Sequence, residues 1–175
     1  MDKNAQKCNS MLEYAVTKNK KIQKLIDSIE ELGCPLPRDF FACRPCEAEI
    51  TGGFRVEGSP IIVCDNHIME RESFESTITH ELVHAYDVCR AKINFQDCSQ
   101  HACTEIRASA LSDECNVLHE LYRGTYTKFA GGQQDCVRRR ATKSLLMNPN
   151  CKVLIEADQA VSDAFSKCYH DKAPF

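Results

Sequence analysis

The sequence has no long run of apolar residues. Its aliphatic runs reach only three residues, as in residues 61–63, whereas a helix that crosses a bilayer needs about 20 apolar residues. The first residues also lack the apolar stretch of a secretory signal and the Arg-rich amphipathic pattern of a mitochondrial presequence. We therefore predict no membrane-spanning helix, and the start of the sequence indicates neither export nor import.

An excess of basic residues is also missing. The 175 residues carry 22 Lys and Arg against 25 Asp and Glu, a formal net charge of −3. This argues against a nucleic-acid partner, because binding to phosphates depends largely on Lys and Arg.

Hydrophobic residues make up 43% and charged residues 27%, which is typical of a soluble globular protein. The length favours a single compact domain, which we divide into an N-terminal helical segment, residues 1–33, and a main domain, residues 34–175.

Cysteine is abundant, and its distribution indicates disulfides. Only one C-x-x-C pair is present, at Cys43 and Cys46, whereas zinc-binding cysteines usually come as two such pairs. A dispersed, even-numbered set favours a disulfide framework over free or metal-bound thiols, and such a framework requires an oxidising compartment. Spacing alone gives no connectivity. The disulfide candidates are Cys8, Cys34, Cys43, Cys46, Cys64, Cys89, Cys98, Cys103, Cys115, Cys136, Cys151 and Cys168.

Hydrophobic periodicity predicts a mainly helical α+β fold with one small β-sheet. Helices are predicted over residues 22–32, 70–92, 100–122, 134–147 and 153–168. Between the first two helices the chain is rich in Gly and Pro, which is typical of turns. Strands are predicted there at residues 54–56 and 60–64, with a hairpin turn at Gly58 and Ser59.

The segment from His80 to His84 has the pattern H-E-x-x-H. On a helix, the two histidines project from one face, one turn apart, so that both imidazoles can bind one tetrahedral zinc ion. Glu81 lies beside them and is placed to act as the general base. The neighbouring residues 78–79, 82–83 and 85–86 are all uncharged, as expected for a helix buried beneath a metal site. The alternative is a buried helix with two hydrogen-bonded histidines.

A catalytic zinc ion takes three protein ligands and keeps one open position. Glu105 is the favoured third ligand, because it follows His84 by 21 residues on the next predicted helix, a spacing of the kind found in thermolysin-like gluzincins. His101, one turn earlier, is the competing ligand. It is otherwise a candidate for orienting the substrate or stabilising the oxyanion, or else a surface histidine.

Asp87 is a candidate for a supporting role. It follows His84 by three residues, so it lies near the same face of the predicted helix. Ligating histidines usually donate their second N–H group to a carboxylate or a carbonyl. The alternative is a solvent-exposed Asp at the far end of the helix.

Two of the segments described above belong to a longer pattern. Residues 79–91 contain the H-E-x-x-H turn, and residues 101–108 contain Glu105. Further matching segments are residues 52–54, 63–64, 111–115, 136–141, 148–151 and 168–175. Together they resemble the mitochondrial inner-membrane-associated metalloproteases of the ATP synthase assembly pathway, over about residues 33–175.

The resemblance implies an activity and a place in the cell. It implies a disulfide-stapled, zincin-like domain of the minimal gluzincin type at residues 34–175, with one Zn²⁺ per chain and the family's H-E-x-x-H residues at His80, Glu81 and His84. The protein would be a zinc endopeptidase of the mitochondrial intermembrane space, peripheral to the inner membrane. It would remove the presequence from the precursor of an ATP synthase membrane-sector subunit and assist its assembly. Entry through the oxidative import machinery fits a Cys-rich chain without a presequence.

Two other classes of function remain as alternatives. One is an assembly chaperone or binding factor on a protease fold, with little or no proteolytic activity. The other is a disulfide-rich extracellular protein in which H-E-x-x-H is fortuitous. Residues 60–64 are likewise open to two interpretations, a strand that holds the peptide substrate by β-augmentation or an ordinary core strand.

Overall fold

The structure, a computed structural model, describes residues 2–37, 39–47, 50–54, 60–67, 70–122, 124 and 132–175, without the side chains of His119 and Tyr122. Within these ranges the chain forms seven α-helices and one three-stranded sheet, which confirms the mainly helical fold with a small sheet. The chain packs as two compact units. The first unit comprises Met1–Ala91 with Pro174–Phe175, and the second unit comprises Lys92–Ala173. The predicted boundary at residue 33 stays a prediction.

The first unit begins with two helices, α1 (Lys3–Lys18) and α2 (Lys20–Glu31). Asn19 separates them and caps α2, because its side-chain oxygen accepts hydrogen bonds from the backbone amides of Lys21 and Ile22 at 3.0 and 3.2 Å. Gly33 follows α2 with a φ of 83°, a left-handed conformation that favours glycine. The helix predicted over residues 22–32 is confirmed, with a start two residues earlier.

The sheet of the first unit has the strand order β1–β3–β2, with β1 at Phe41–Arg44, β2 at Gly52–Gly53 and β3 at Ile61–Cys64. The central strand β3 pairs with β1 in parallel and with β2 in antiparallel orientation. This confirms the strand predicted at residues 60–64. Of the other predicted strand and its turn, residues 55–59 lie outside the described residues.

Helix α3 (Arg71–Ala91) completes the core of the first unit by packing against α2, β2 and β3. Its residue range confirms the helix predicted over residues 70–92. Three disulfides hold this unit together: Cys8–Cys43 joins α1 to β1, Cys34–Cys89 joins the end of α2 to α3, and Cys46–Cys64 closes the loop between β1 and β3.

The second unit is helical, and α4 (Cys98–Leu111) packs against both α6 (Gly132–Met147) and α7 (Leu154–His170). The single helix predicted over residues 100–122 is wrong. It ends at Leu111, and Asp113 takes a φ of 64°, which interrupts the helix before the short α5 (Val117–Tyr122). The other two helices lie where the periodicity predicts them.

Disulfides and one buried cation hold the second unit. The disulfides are Cys98–Cys151, Cys103–Cys168 and Cys115–Cys136, so all twelve cysteines are paired, each within its own unit. This confirms the predicted disulfide framework.

Arg107 of α4 is only 1% exposed. It forms an ion pair with Asp171 at 2.7 Å and donates a hydrogen bond to the carbonyl oxygen of Ala173 at 2.6 Å, which ties the segment after α7 to α4.

Candidate metal centre

The H-E-x-x-H residues lie in the buried middle of α3. Glu81 and His84 are buried and His80 is half-buried. The ring centroids of the two histidines are 4.8 Å apart, with an angle of 74° between the ring planes. Two imidazoles are therefore presented from consecutive turns of one rigid helix, with a carboxylate directly beside them.

Strand β2 approaches α3 closely at this point. A Cβ atom added to Gly52 would lie 2.7 Å from Thr77 Cγ2, 3.0 Å from the carbonyl oxygen of Ile62 and 3.8 Å from Glu81 Cγ. Only glycine fits such an approach without a shift of its neighbours. Gly52 thus brings a strand edge next to the residue proposed as general base. This role of Gly52 was not predicted from the sequence, in which the pair Gly52–Gly53 was the available signal.

The interpretation of residues 60–64 as a docking strand is wrong. Strand β3 is paired with β1 on one side and with β2 on the other, so its backbone groups are already used within the sheet. Ile61, Val63 and Cys64 are buried. The alternative, an ordinary core strand, is the correct one.

Asp87 lies one turn after His84 on α3 and is 1% exposed. The alternative of a solvent-exposed carboxylate is therefore wrong. Arg90 donates a hydrogen bond to Asp87 Oδ1 at 3.3 Å, and its guanidinium lies over the ring of Tyr86 at 5.4 Å. A buried carboxylate here has the chemistry to accept an imidazole N–H, and that role remains a proposal.

In the second unit, α4 carries His101 and Glu105 side by side. Both are buried, with exposed fractions of 8% and 6%, so the alternative of a surface histidine is wrong. His101 Nε2 lies 3.1 Å from Glu105 Oε1. The other ring nitrogen, Nδ1, lies 2.8 Å from the side-chain nitrogen of Asn148. The imidazole is therefore held between an amide and a carboxylate.

Asn148 determines which nitrogen of His101 carries the hydrogen. Its side-chain nitrogen also donates to the carbonyl oxygen of Phe95 at 2.6 Å, and its side-chain oxygen accepts from the backbone amide of Asn150 at 3.0 Å. These two contacts fix the orientation of the amide. Nδ1 of His101 is then an acceptor, and Nε2–H donates to Glu105. Asn148 thus orients Glu105 through His101, a contact over 47 residues of sequence that no local pattern predicted.

The available donor types fit zinc. Catalytic zinc sites commonly use two imidazole nitrogens and a carboxylate oxygen, and His80, His84 and Glu105 each offer one such ligand atom. Because every cysteine is in a disulfide, thiolates do not compete for the metal.

A buried helix that presents two imidazoles and a carboxylate within one H-E-x-x-H turn is typical of a metallopeptidase. The sequence matches the peptidase M76 family over residues 6–175, and the chain belongs to this family.

Several relatives cover nearly the whole chain. The mitochondrial inner membrane protease ATP23 of Schizosaccharomyces pombe is 34% identical over 173 residues, which cover 99% of this chain and 93% of the relative. The protease of the same name from Yarrowia lipolytica is 34% identical over 168 residues, 96% of this chain and 67% of the relative. The Xenopus laevis homolog is 36% identical over 171 residues, 97% of this chain and 72% of the relative. No solved structure matches the chain.

None of the described helices combines the length and the apolar character that a membrane-spanning segment needs.

Proposed function

We propose that this metallopeptidase is a zinc-dependent endopeptidase, with one Zn²⁺ per chain held by His80, His84 and Glu105 and with Glu81 as general base. The observation that carries the proposal is the buried turn of α3, where the two imidazole centroids are 4.8 Å apart and Glu81 lies between their positions in the sequence. Membership of a peptidase family supports peptide hydrolysis as the reaction.

Glu105 is preferred to His101 as the third ligand. Both ring nitrogens of His101 are already engaged, one by Asn148 and the other by Glu105, so binding of a metal by this ring would break one of these contacts. A carboxylate that accepts one N–H bond still has lone pairs for a cation, and ligating carboxylates are commonly oriented in this way. We therefore assign His101 a positioning role and not the oxyanion role.

The proposed reaction uses zinc as a Lewis acid and Glu81 as a base. When bound, zinc would polarise the scissile carbonyl group and lower the pKa of water towards the neutral range. Glu81 removes a proton from the attacking water as the water oxygen forms a bond to the carbonyl carbon. Glu81 then gives this proton to the amide nitrogen as the C–N bond breaks. The products are a carboxylic acid, which keeps the second proton of the water, and an amine; near neutral pH this proton passes to the amine, which gives a carboxylate and an ammonium group. Asp87, in this proposal, orients a ligating imidazole.

The proposed location follows the relatives, whose names place those proteins at the mitochondrial inner membrane. We propose a peripheral position on the intermembrane-space side, because six disulfides require an oxidising compartment and suit the oxidative import machinery. The proposed substrate is the precursor of an ATP synthase membrane-sector subunit. The enzyme would remove the presequence of that subunit and assist its assembly.

The variant Glu81→Gln tests the proposal. Cleavage of the precursor should fall by about a thousandfold, within the range of general acid–base catalysis, while the zinc content stays at one ion per chain. The matched control is Glu72→Gln, the same chemical change at an exposed position in the first turn of α3. It should cleave at the wild-type rate. Cleavage that survives in Glu81→Gln would exclude Glu81 as the base.

The same variant separates proteolysis from assembly. If the membrane sector assembles in cells that carry Glu81→Gln while the precursor stays uncut, assembly assistance does not depend on hydrolysis. Purified wild-type protein that contains no zinc and does not bind it would overturn the metal centre.

A further inference from the structure

A basic cleft lies in the first unit, where the end of α1, the start of α2 and the start of α3 come together. Its volume is about 340 Å³, near the lower end of the range of small-ligand sites, about 300–1,000 Å³. Its cationic walls are Lys18, Lys20, Lys21 and Arg71. These residues have no part in the proposed hydrolysis.

The cleft is cationic although the chain is not. Four basic side chains line it together with one carboxylate, Glu75, whereas the whole chain has a net charge of −3. The carboxylate of Glu75 already has partners among the residues that line the cleft. It accepts a hydrogen bond from Asn19 Nδ2 at 2.8 Å, and Arg71 Nε lies 3.7 Å away. Among the described residues, Lys18 and Lys20 have no ion-pair partner. Their charges therefore contribute to a local positive potential.

Contacts with aromatic rings and hydrogen bonds of an amide group orient side chains that line the cleft. The guanidinium of Arg71 lies over the ring of Tyr14 at 4.9 Å, and the ammonium of Lys21 lies 5.7 Å from the ring centre of Phe175. The side-chain oxygen of Asn19 already accepts the first amides of α2. A ligand would consequently be bound by the basic side chains and not by the helix end.

The backbone beneath the cleft is fixed. Ala15 and Ile22, on either side of the turn between α1 and α2, are fully buried. The disulfide Cys8–Cys43 ties α1 to β1. The backbone that carries the basic residues is therefore ordered before a ligand binds, so binding carries no entropic cost for ordering this backbone.

The other basic cluster of the chain, residues 138–140, differs from the cleft. Its members are used inside the second unit: Arg139 pairs with Glu120, Arg140 pairs with Glu114, and Arg138 lies over the ring of Phe165. Those cations have internal partners, whereas the cleft holds a surplus of positive charge.

We propose that this cleft binds a phosphate group. The planar guanidinium of Arg71 offers paired N–H donors that match two phosphate oxygens, and Lys18 and Lys20 add compact charges. The phosphate can belong to the headgroup of an anionic phospholipid or to a soluble compound, and the chemistry of recognition is the same. The proposal does not depend on peptide hydrolysis, and all variants below should keep wild-type peptidase activity.

Vesicle binding by the full-length chain is the first arm of the test. Lys18→Gln/Lys20→Gln/Arg71→Gln removes three cations from the cleft. The control, Lys143→Gln/Lys152→Gln/Lys167→Gln, makes the same charge change at exposed positions of the second unit. On phosphatidylcholine vesicles that contain phosphatidylglycerol, the cleft variant should bind about a hundredfold more weakly than wild type, since each basic group near an anionic surface contributes about fivefold. The control should bind nearly as wild type does.

Inorganic phosphate is the second arm and identifies the source of the group. Titration should shift the NMR signals of the Asn19 side-chain amide and of Arg71 Nε–H in the wild type and in the control, but not the Asn19 signal in the cleft variant. If phosphate binds but vesicle binding does not depend on the cleft, the natural ligand is a soluble phosphate compound. If vesicle binding depends on the cleft but inorganic phosphate does not bind, the natural ligand is a lipid headgroup. Either result supports a phosphate site.

The proposal is wrong if the cleft variant and the control behave alike toward both probes. Should the triple variant not fold, Lys18→Gln/Lys20→Gln replaces it, because this pair leaves the contacts of Arg71 with Tyr14 and Glu75 in place. Its vesicle binding should be about twenty-fivefold weaker than that of the wild type.

Discussion

Helix α3 in the first unit and helix α4 in the second unit carry the candidate functional residues in different ways. On α3 the H-E-x-x-H residues lie within two turns, so helical geometry alone sets their arrangement. On α4 the orientation of Glu105 depends on His101, and His101 depends on Asn148, 47 residues further along the chain. One part of the proposed ligand set is therefore local in sequence, whereas the other requires a correctly packed unit.

The long-range disulfides provide the first test of this difference. Cys34–Cys89 fixes α3 and Cys103–Cys168 fixes α4, at sequence separations of 55 and 65. Replacing either pair by Ser should lower the free energy of unfolding by about 4 kcal/mol, because the loop-closure entropy depends only weakly on loop length. Denaturant unfolding under oxidising conditions measures both losses. Equal losses would mean that the two helices differ in the orientation of their side chains and not in how firmly they are anchored.

The control for this test is the shortest disulfide loop of the first unit. Cys46–Cys64 has a sequence separation of 18, so its removal should cost about 3 kcal/mol. A larger loss for this pair than for Cys34–Cys89 would show that loop closure does not set the contribution of the disulfides.

The close approach at Gly52 is the second test, and it concerns α3. In Gly52→Ala the new methyl group would meet Thr77 Cγ2 at 2.7 Å and the carbonyl oxygen of Ile62 at 3.0 Å. We expect a loss of about 2 kcal/mol in the free energy of unfolding, typical of an overpacked site. Peptide hydrolysis should also fall, because β2 would move relative to Glu81, while zinc binding should persist. Thermal unfolding and peptide cleavage measure the two effects.

Two matched variants isolate the cause of this loss. A Cβ atom at Gly53 would meet nothing within 4 Å, so Gly53→Ala should leave both stability and activity near wild type. Adding Thr77→Ser to Gly52→Ala removes the methyl group at 2.7 Å and should restore part of the stability. If Gly53→Ala is as harmful as Gly52→Ala, the sensitivity comes from backbone flexibility and not from the approach to α3.

The difference between local and long-range contacts also explains which features the sequence could predict. Strand β3 and helices α3, α6 and α7 follow from apolar periodicity, and the spacing of His80 and His84 follows from helical geometry. The end of α4 was missed because Asp113 takes a positive φ that no glycine signals. The pairing of the cysteines and the role of Asn148 depend on which distant segments pack together, and no local pattern contains that information.

Asn148 itself gives the third test and the smallest expected effect. Asn148→Ala removes the donor to His101 Nδ1, so the ring no longer has a fixed tautomer and presents its N–H to Glu105 for only part of the time. Partners that orient a metal ligand typically contribute tenfold or more to metal affinity. We expect zinc affinity to fall by about tenfold, or about 1.4 kcal/mol. Competition with a chelator of known affinity measures this change.

The matched control is Asn150→Ala, two residues further along the same loop. This variant removes the weaker hydrogen bond from the Asn150 side chain to Asn148 Oδ1, at 3.3 Å, but keeps the one from the Asn150 backbone amide, at 3.0 Å. Asn148 keeps its orientation, so zinc affinity should stay near that of the wild type. His101→Ala should weaken zinc binding at least as much as Asn148→Ala, because it removes the donor to Glu105 itself. Should Asn148→Ala bind zinc like the wild type while His101→Ala does not, then His101 orients Glu105 without help from the distant segment. In that case the arrangement on α4 would be as local as the one on α3, since His101 and Glu105 are one helical turn apart.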